Sequence, residues 1–385
     1  MEFYFFIAIL FGAASVFSGV TSRRTPALNT LLLIIFWSIA ALRYDTGYDW
    51  LVYKNYFNQF FENSFGPSTG IVPMEPLYRL ANYLIAITLG DFQFIFLAVA
   101  TFNTWAISKL LEEANTNKAL CLFLYFCTIY LAVQMGVTRQ SIAISFFLLA
   151  ILEDAKENRL RALVFCLLGI GFHYSAAMYL LVFLRGLTRK ILRSPRIFCG
   201  ILLTIYISGI GLASLLIETI SRSSIPFISE KIAFYLPSGL SSRTPASAAY
   251  LLISMSVFLW TNSTIRKKNR FQELLFGAIV LQIALESLFF DVPLFWNRVQ
   301  YLAVLPQAIL LSQTIDRKNL ATRAVSLAAS CAFGVALLTY QLTNPLIAPY
   351  IPYYSYLEYM ATGYPGTGMD RAIQYYETVD SAQEQ

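Results

Sequence analysis

Arg139, in GVTRQS, and Arg298, in FWNRVQY, stand near the starts of two apolar runs. On the topology set out below, each lies in the first turn of a helix that enters the membrane from its outer side. The amino end of a helix already carries partial positive charge, so a cation is the unfavourable choice there. Two such arginines point to an anion between them, and a phosphate suits both a guanidinium fork and a helix end. The plainer reading is that each reaches to lipid headgroups or pairs with a nearby acid. Arg43 falls on the same side but follows the carboxyl end of its helix, where a cation is favoured anyway. Arg243, in SGLSSRTPAS, sits in a loop that either reaches the same anion or is simply solvated.

His173 is the chain's single histidine. In GFHYS it falls at membrane depth, where ionisable groups are costly and are usually functional. It could act as a general base near neutral pH, donate to a phosphate, or be a buried histidine bonded to a carbonyl. Asp45, Asp49 and Glu75 are the other base candidates. Asp45 and Asp49 share a face if their segment is helical. Glu75, in VPMEPLYR, precedes a proline that favours an extended backbone just before a helix start. These acids could equally neutralise the arginines, and Glu286 and Asp291 could be further partners. Trp50 and Tyr53 lie inside the charged passage RYDTGYDWLVYKNYF, where a sugar-stacking role and an interfacial one weigh evenly. For the other outer aromatics (Tyr44, Tyr48, Tyr56, Tyr174, Trp296, Tyr301) the interfacial belt is the better reading.

The elements that must position these groups are membrane helices. Of 385 residues 57% are hydrophobic and 13% charged, with mean hydropathy +0.59; soluble chains carry about 25% charged residues. Apolar runs of spanning length recur throughout. Spans are expected near 3–20, 27–42, 92–110, 119–134, 138–153, 197–217, 246–262, 271–290, 298–314 and 324–342. Residues 76–90 read as an interfacial or re-entrant helix. The first run has no basic leader or cleavage site and reads as a retained helix. The five cysteines lie singly in apolar runs and imply neither disulfides nor a metal site.

Basic loops orient the chain. Placing Arg23/Arg24, Arg159/Arg161, the run from Arg185 to Arg196, RKKNR and RKNLATR on the cytoplasmic side gathers most of the 28 Lys and Arg there. That works if 162–184 is a short helical hairpin turning near GFHYS rather than one span. The expected fold is therefore all-α and polytopic, with about ten transmembrane helices plus that hairpin. Residues 1–343 form the membrane domain, with outer loops 43–75 and 218–245. Residues 344–385 form an outer tail, helical around SYLEYM and DRAIQYYETV. No Walker A sequence, GxGxxG or HExxH is present, and no nucleic-acid partner is implied.

RYDTGYDWLVYKNYF, EPLYRL, GVTRQSIAISFFLLAI, FHYSA and NRVQYL follow one another in an order that resembles the EpsG/Wzy-type polysaccharide polymerases. The resemblance covers roughly residues 40 to 305. It implies a GT-C-like glycosyltransferase of the bacterial inner membrane with its active site facing the periplasm. The partners implied are undecaprenyl-diphosphate-linked glycans as donor and acceptor, the lipid bilayer, and a chain-length regulator protein. Carried onto matching positions, Arg139, Arg298, Arg43, Gln140, Tyr53, Tyr301 and Arg243 would contact diphosphate or glycan. His173, Asp49 or Glu75 would take the acceptor proton. No cofactor and no metal are expected, because arginines can neutralise the diphosphate directly. A lipid-linked glycan flippase, an O-antigen ligase and a membrane O-acyltransferase are the alternatives. A flippase calls for a basic cavity through the membrane, whereas the polar residues here gather on one side.

Overall fold

Apolar runs bounded by Pro, Asn and Gly become helices in the computed structural model, which describes residues 1–21, 25–62, 74–209, 211–212 and 244–383. Arg243, most of the 218–245 connection and the far end of the 197–217 run lie outside the described residues. Among the described residues there is no strand; one isolated bridge joins Arg43 to Ser355. Contacts divide the fold into two units, Met1–Ala177 with Ser312–Thr378, and Met178–Leu311 with the last residues of the chain.

The first unit holds α1 (Glu2–Thr21), α2 (Pro26–Ala41), α3 (Trp50–Glu62), α4 (Pro76–Thr88), α5 (Gln93–Ala114) and α6 (Lys118–Thr128). A π-helix, Leu131–Gly136, leads into α7 (Thr138–Ala155) and α8 (Arg159–Phe172). Proline opens α2 and α4, where its missing N–H costs nothing. Asn117 caps α6 by accepting from the Leu120 amide. The second unit holds α9 (Arg185–Arg193), α10 (Pro195–Ser208), α11 (Pro245–Thr264), α12 (Arg270–Leu288) and most of α13 (Pro293–Asp316). The chain returns to the first unit as α14 (Leu320–Leu342), α15 (Tyr356–Thr362) and α16 (Gly368–Gln383). The tail is thus helical at both motifs expected to be so.

By length and composition α1, α5, α12 and α14 can each cross a membrane, and the bent pair α9–α10 makes a fifth candidate. Several expected spans take another form. The 119–134 run is not one helix: α6 stops at Thr128 and a π-turn follows. The 162–184 run is broken near GFHYS, where a turn was expected. α8 ends at Phe172, His173 is extended (φ −157°, ψ 110°), and Tyr174–Phe183 is a 3-10 helix. Within the first unit Gly169 of α8 packs on Phe147 of α7. Within the second the Tyr179 hydroxyl donates to the Arg298 carbonyl, and Arg185 pairs with Glu273.

Small residues let the first unit close. A Cβ on Gly334 of α14 would strike the Phe123 ring of α6, and one on Gly12 of α1 would meet that ring at 3.4 Å. Polar side chains inside the apolar bundle satisfy one another. Asn103 on α5 donates to Gln134 Oε1 (3.1 Å) and Ser141 Oγ (2.9 Å), and accepts from Ser145 (2.7 Å). Gln134 in turn donates to the Tyr125 hydroxyl at 2.8 Å. All of this joins α5, α6, the π-turn and α7. In the second unit, Gln282 on α12 donates to Ser254 and Glu286, and Gln307 donates to Gln282.

Replacing Asn103 with Leu leaves Gln134, Ser141 and Ser145 without their partner. The expected outcome is a loss of about 1–3 kcal/mol, read as a lower Tm in detergent. An unchanged Tm would mean that the network does not hold α5 to α7.

Candidate functional site

The passage RYDTGYDW begins where α2 stops. Gln93 donates to the carbonyls of Ala41 and Arg43, so this helix end is satisfied by α5. Asp45 adopts a left-handed backbone (φ 42°) and Gly47 follows at φ 113°. Asp45 and Asp49 are therefore not neighbours on one helix, because α3 begins only at Trp50. The turn at Gly47 lays the backbone against the Met135 carbonyl, and a Cβ there would collide with it. The passage thus packs on the π-turn that precedes Arg139, at a place where π-turns often mark functional sites.

Three chain breaks meet at one carboxylate. Glu75 is the extended residue before Pro76 at the start of α4, as expected. Its Oε2 accepts from Arg139 Nη1 at 2.6 Å, and its Oε1 lies 2.8 Å from His173 Nδ1. Arg139 is the second residue of α7, hence in the first turn, and His173 is the extended residue that ends α8. Burial alone would raise the Glu75 pKa. The His173 hydrogen bond and the Arg139 charge outweigh it and hold the carboxyl at about 2. Glu75 is therefore a weak base and a strong clamp. A neutral His173 donating from Nδ1 carries its lone pair on Nε2, the arrangement a general base needs.

Asp49 sits beside this clamp, half-buried. The Tyr53 hydroxyl reaches its Oδ2 at 3.4 Å, and the Arg139 guanidinium lies 5.8 Å from the Tyr53 ring. Burial lifts the Asp49 pKa to about 6, against the lowering pull of Arg139, Tyr53 and Arg43. It can exchange a proton near neutral pH, which Glu75 cannot.

Other expected residues are placed differently. Arg43 is only 2% exposed. Its guanidinium covers the Phe96 ring at 3.8 Å and donates to the Gln134 carbonyl and the Thr138 hydroxyl. It supports the start of α7, and in this structure it presents no open face to a phosphate. Trp50 and Tyr53 are 1% and 2% exposed, within an aromatic core with Tyr56, Phe57, Tyr78 and Phe96. They do not offer open faces to a sugar; Tyr174, next to His173, is 55% exposed. Gln140 is buried on α7. Arg298 and Tyr301 belong to the second unit. Arg298 lies in the second turn of α13, not the first, because Pro293 opens that helix one turn earlier. Glu286 is buried on α12, with Oε2 accepting from Gln282 at 2.9 Å. Among the described residues no three His, Cys, Asp or Glu side chains gather to hold a metal ion.

The tail supplies a wall that sequence reasoning missed. The Tyr376 hydroxyl donates to the Tyr48 carbonyl at 2.8 Å, and the Tyr48 ring packs against Tyr375 and Tyr350. Arg371 holds this wall in place: its Nη1 donates to the carbonyls of Pro349 and Pro352, and its guanidinium lies over the Tyr354 ring. The Tyr-rich composition of the tail was the available signal. Its target, 328 positions away in the chain, was not readable.

In comparison with known proteins, the model of the family described as the EpsG family matches residues 27–356. Nothing matches among curated proteins or among solved structures.

A carboxyl held below its ordinary value of 4.5 adds stability that is present above that pH and lost as pH falls toward about 2. Glu75→Gln removes the clamp and leaves Arg139, half-buried with 19% of its side chain exposed, without this counter-ion, at a cost of about 2 kcal/mol near neutrality, less than for a fully buried charge. The difference in Tm between wild type and variant should be largest at neutral pH and shrink as pH drops below 4.5. A difference that stays constant into the acid range would rule out the clamp.

Proposed function

This chain belongs to the EpsG family, and on that premise we propose that it is a polysaccharide polymerase of the Wzy type with a GT-C-like fold. The observation that carries the reading is the single carboxylate of Glu75 holding an arginine and a histidine together at helix ends. A phosphate-binding cation and a proton acceptor are what transfer from a lipid diphosphate requires. In this reading about ten segments cross the bacterial inner membrane, with the shorter helices completing the set. The cluster around Glu75 faces the periplasm.

The donor is a growing glycan on undecaprenyl diphosphate, and the acceptor is a repeat unit on a second such carrier. An acceptor hydroxyl oxygen attacks the anomeric carbon of the donor. The bond from that carbon to the diphosphate oxygen breaks, and undecaprenyl diphosphate leaves with the electron pair. The hydroxyl proton passes to His173 Nε2. Arg139 keeps one nitrogen on Glu75 and turns its remaining N–H groups to the diphosphate, whose charge grows as the bond breaks. Arg298 is the second cation and Tyr301, three residues on along the same helix face, a glycan contact. Arg43 acts through Thr138 and so positions Arg139, while Gln140 is a substrate contact within α7. Arg243 is a further diphosphate contact, and a chain-length regulator is the protein partner. Asp49 is the competing base, favoured by its pKa near 6.

Purified protein given its lipid-linked repeat unit, with EDTA and without nucleotide sugar, should produce a ladder of polymers. Arg139→Lys and Arg298→Lys should each slow it about tenfold or more, since lysine cannot replace a guanidinium fork. No ladder from folded protein that instead moves lipid-linked glycan across liposomes would replace this reading with the flippase.

The base is decided by pH. If His173 accepts the proton, His173→Gln abolishes turnover, while Asp49→Asn keeps the acid limb of kcat/KM. If Asp49 accepts it, the limb near pH 6 disappears in Asp49→Asn.

A further inference from the structure

At Ser194 the chain bends through 97° from α9 into α10. α10 is apolar and shows Ile197 and Ile201 outward, 65% and 56% exposed. If α10 runs along the bilayer normal, its bent partner α9 lies in the plane of the interface, as basic amphipathic helices do. α9 is fixed in that pose. Arg185 and Arg189 both donate to Glu273, and Thr188 faces Gly277 of α12.

In the crook where α10 meets α11 is a cavity of about 500 Å³, lined by Arg196, Ser256, Leu259, Trp260 and Asn262 among others. Asn262 donates from Nδ2 to the Leu192 carbonyl at 3.2 Å. Its Oδ1 is buried and accepts no hydrogen bond among the described residues. The nearby ammonium of Lys268 is engaged by the carbonyls of Asn262 and Ile265. Glu273 is taken by Arg185 and Arg189. Arg193, Arg196, Arg266 and Lys267 are exposed and form no ion pair among the described residues. The cavity therefore combines a free cation, an exposed indole and an apolar flank on α10, and its lining residue Asn262 carries a covered acceptor that a turn of the amide would present to a donor.

We propose that this cavity holds the headgroup of an anionic phospholipid of the phosphatidylglycerol kind. The phosphate sits on Arg196, a headgroup hydroxyl donates to Asn262 Oδ1, and the acyl chains run along Ile197 and Ile201. Phosphatidylcholine has the phosphate but neither a net negative charge nor a hydrogen-bond donor, so it satisfies only part of the site. Basic pockets between helices at a membrane surface bind lipid headgroups by this combination. The site lies within the second unit and does not depend on the polymerase reading.

Delipidated full-length protein in detergent, titrated with phosphatidylglycerol and phosphatidylcholine and read by native mass spectrometry, tests this. Wild type should retain phosphatidylglycerol over phosphatidylcholine by about fivefold or more, the factor one surface cation supplies. Arg196→Ala should remove that preference, and Arg196→Lys should keep most of it, which separates lost charge from lost folding. Asn262→Leu should weaken phosphatidylglycerol retention while leaving phosphatidylcholine unchanged. Equal retention of the two lipids by wild type, or undiminished preference in Arg196→Ala, overturns the proposal. Displacement of bound phosphatidylglycerol by excess inorganic phosphate also overturns it, and marks the cavity as a site for free phosphate.

Discussion

The geometry around Arg139 depends on one carboxylate in a place that water scarcely reaches. Glu75 is the acid that meets both Arg139 and His173. In a low-dielectric setting an arginine without an acid would be costly, and an imidazole without a partner would have no set orientation. The three residues come from the start of α4, the start of α7 and the end of α8. Helix ends are where backbone leaves the regular ladder, so side chains there can converge from directions that a helix middle forbids. The bundle accepts three broken ends at one point because the carboxylate bridges two of them from the third.

Around that clamp lies a second set of contacts with no chemistry of its own. Arg43 is buried against Phe96 and reaches the Gln134 carbonyl and Thr138, next to Arg139. The bridge between Arg43 and Ser355, with the Tyr44 amide donating to the Tyr354 carbonyl, ties the same stretch to the tail. Arg371 then holds the tail loop through three proline and alanine carbonyls. Two arginines that a residue count would assign to ligand binding are spent on backbone carbonyls. Loops outside the spans have no helix ladder to satisfy those carbonyls, and a guanidinium can reach several at once.

The second unit solves the same problem of polarity inside apolar helices with amides and hydroxyls. Gln282, Gln307, Ser254 and Glu286 link α11, α12 and α13. At the opposite end Glu273 neutralises two arginines of α9, Arg185 and Arg189, and leaves Arg193 exposed. Charge is thus matched where helices must be held together and left unmatched at the surface.

Composition and the run lengths of apolar residues determined that this is an all-helical chain with membrane-spanning segments, since no soluble core needs so little charge. Proline at Pro76 and the first-turn position of Arg139 could be read directly, because both are local consequences of helix geometry. The break at His173 followed from charge placement, because basic residues flank that run on both sides. Other features had no local signature. Asp45 and Asp49 would have shared a face had their segment been helical, but Gly47 turns the backbone against Met135. For Trp50 and Tyr53 a sugar-stacking and an interfacial role weighed evenly, and both proved to be core. That Glu75 meets His173 across 98 positions, and that Tyr376 meets Tyr48 across 328, was decided by packing alone. Periodicity reports which residues a single helix buries; which other helix end receives them depends on contacts between segments distant in the chain, and only the tertiary structure sets those.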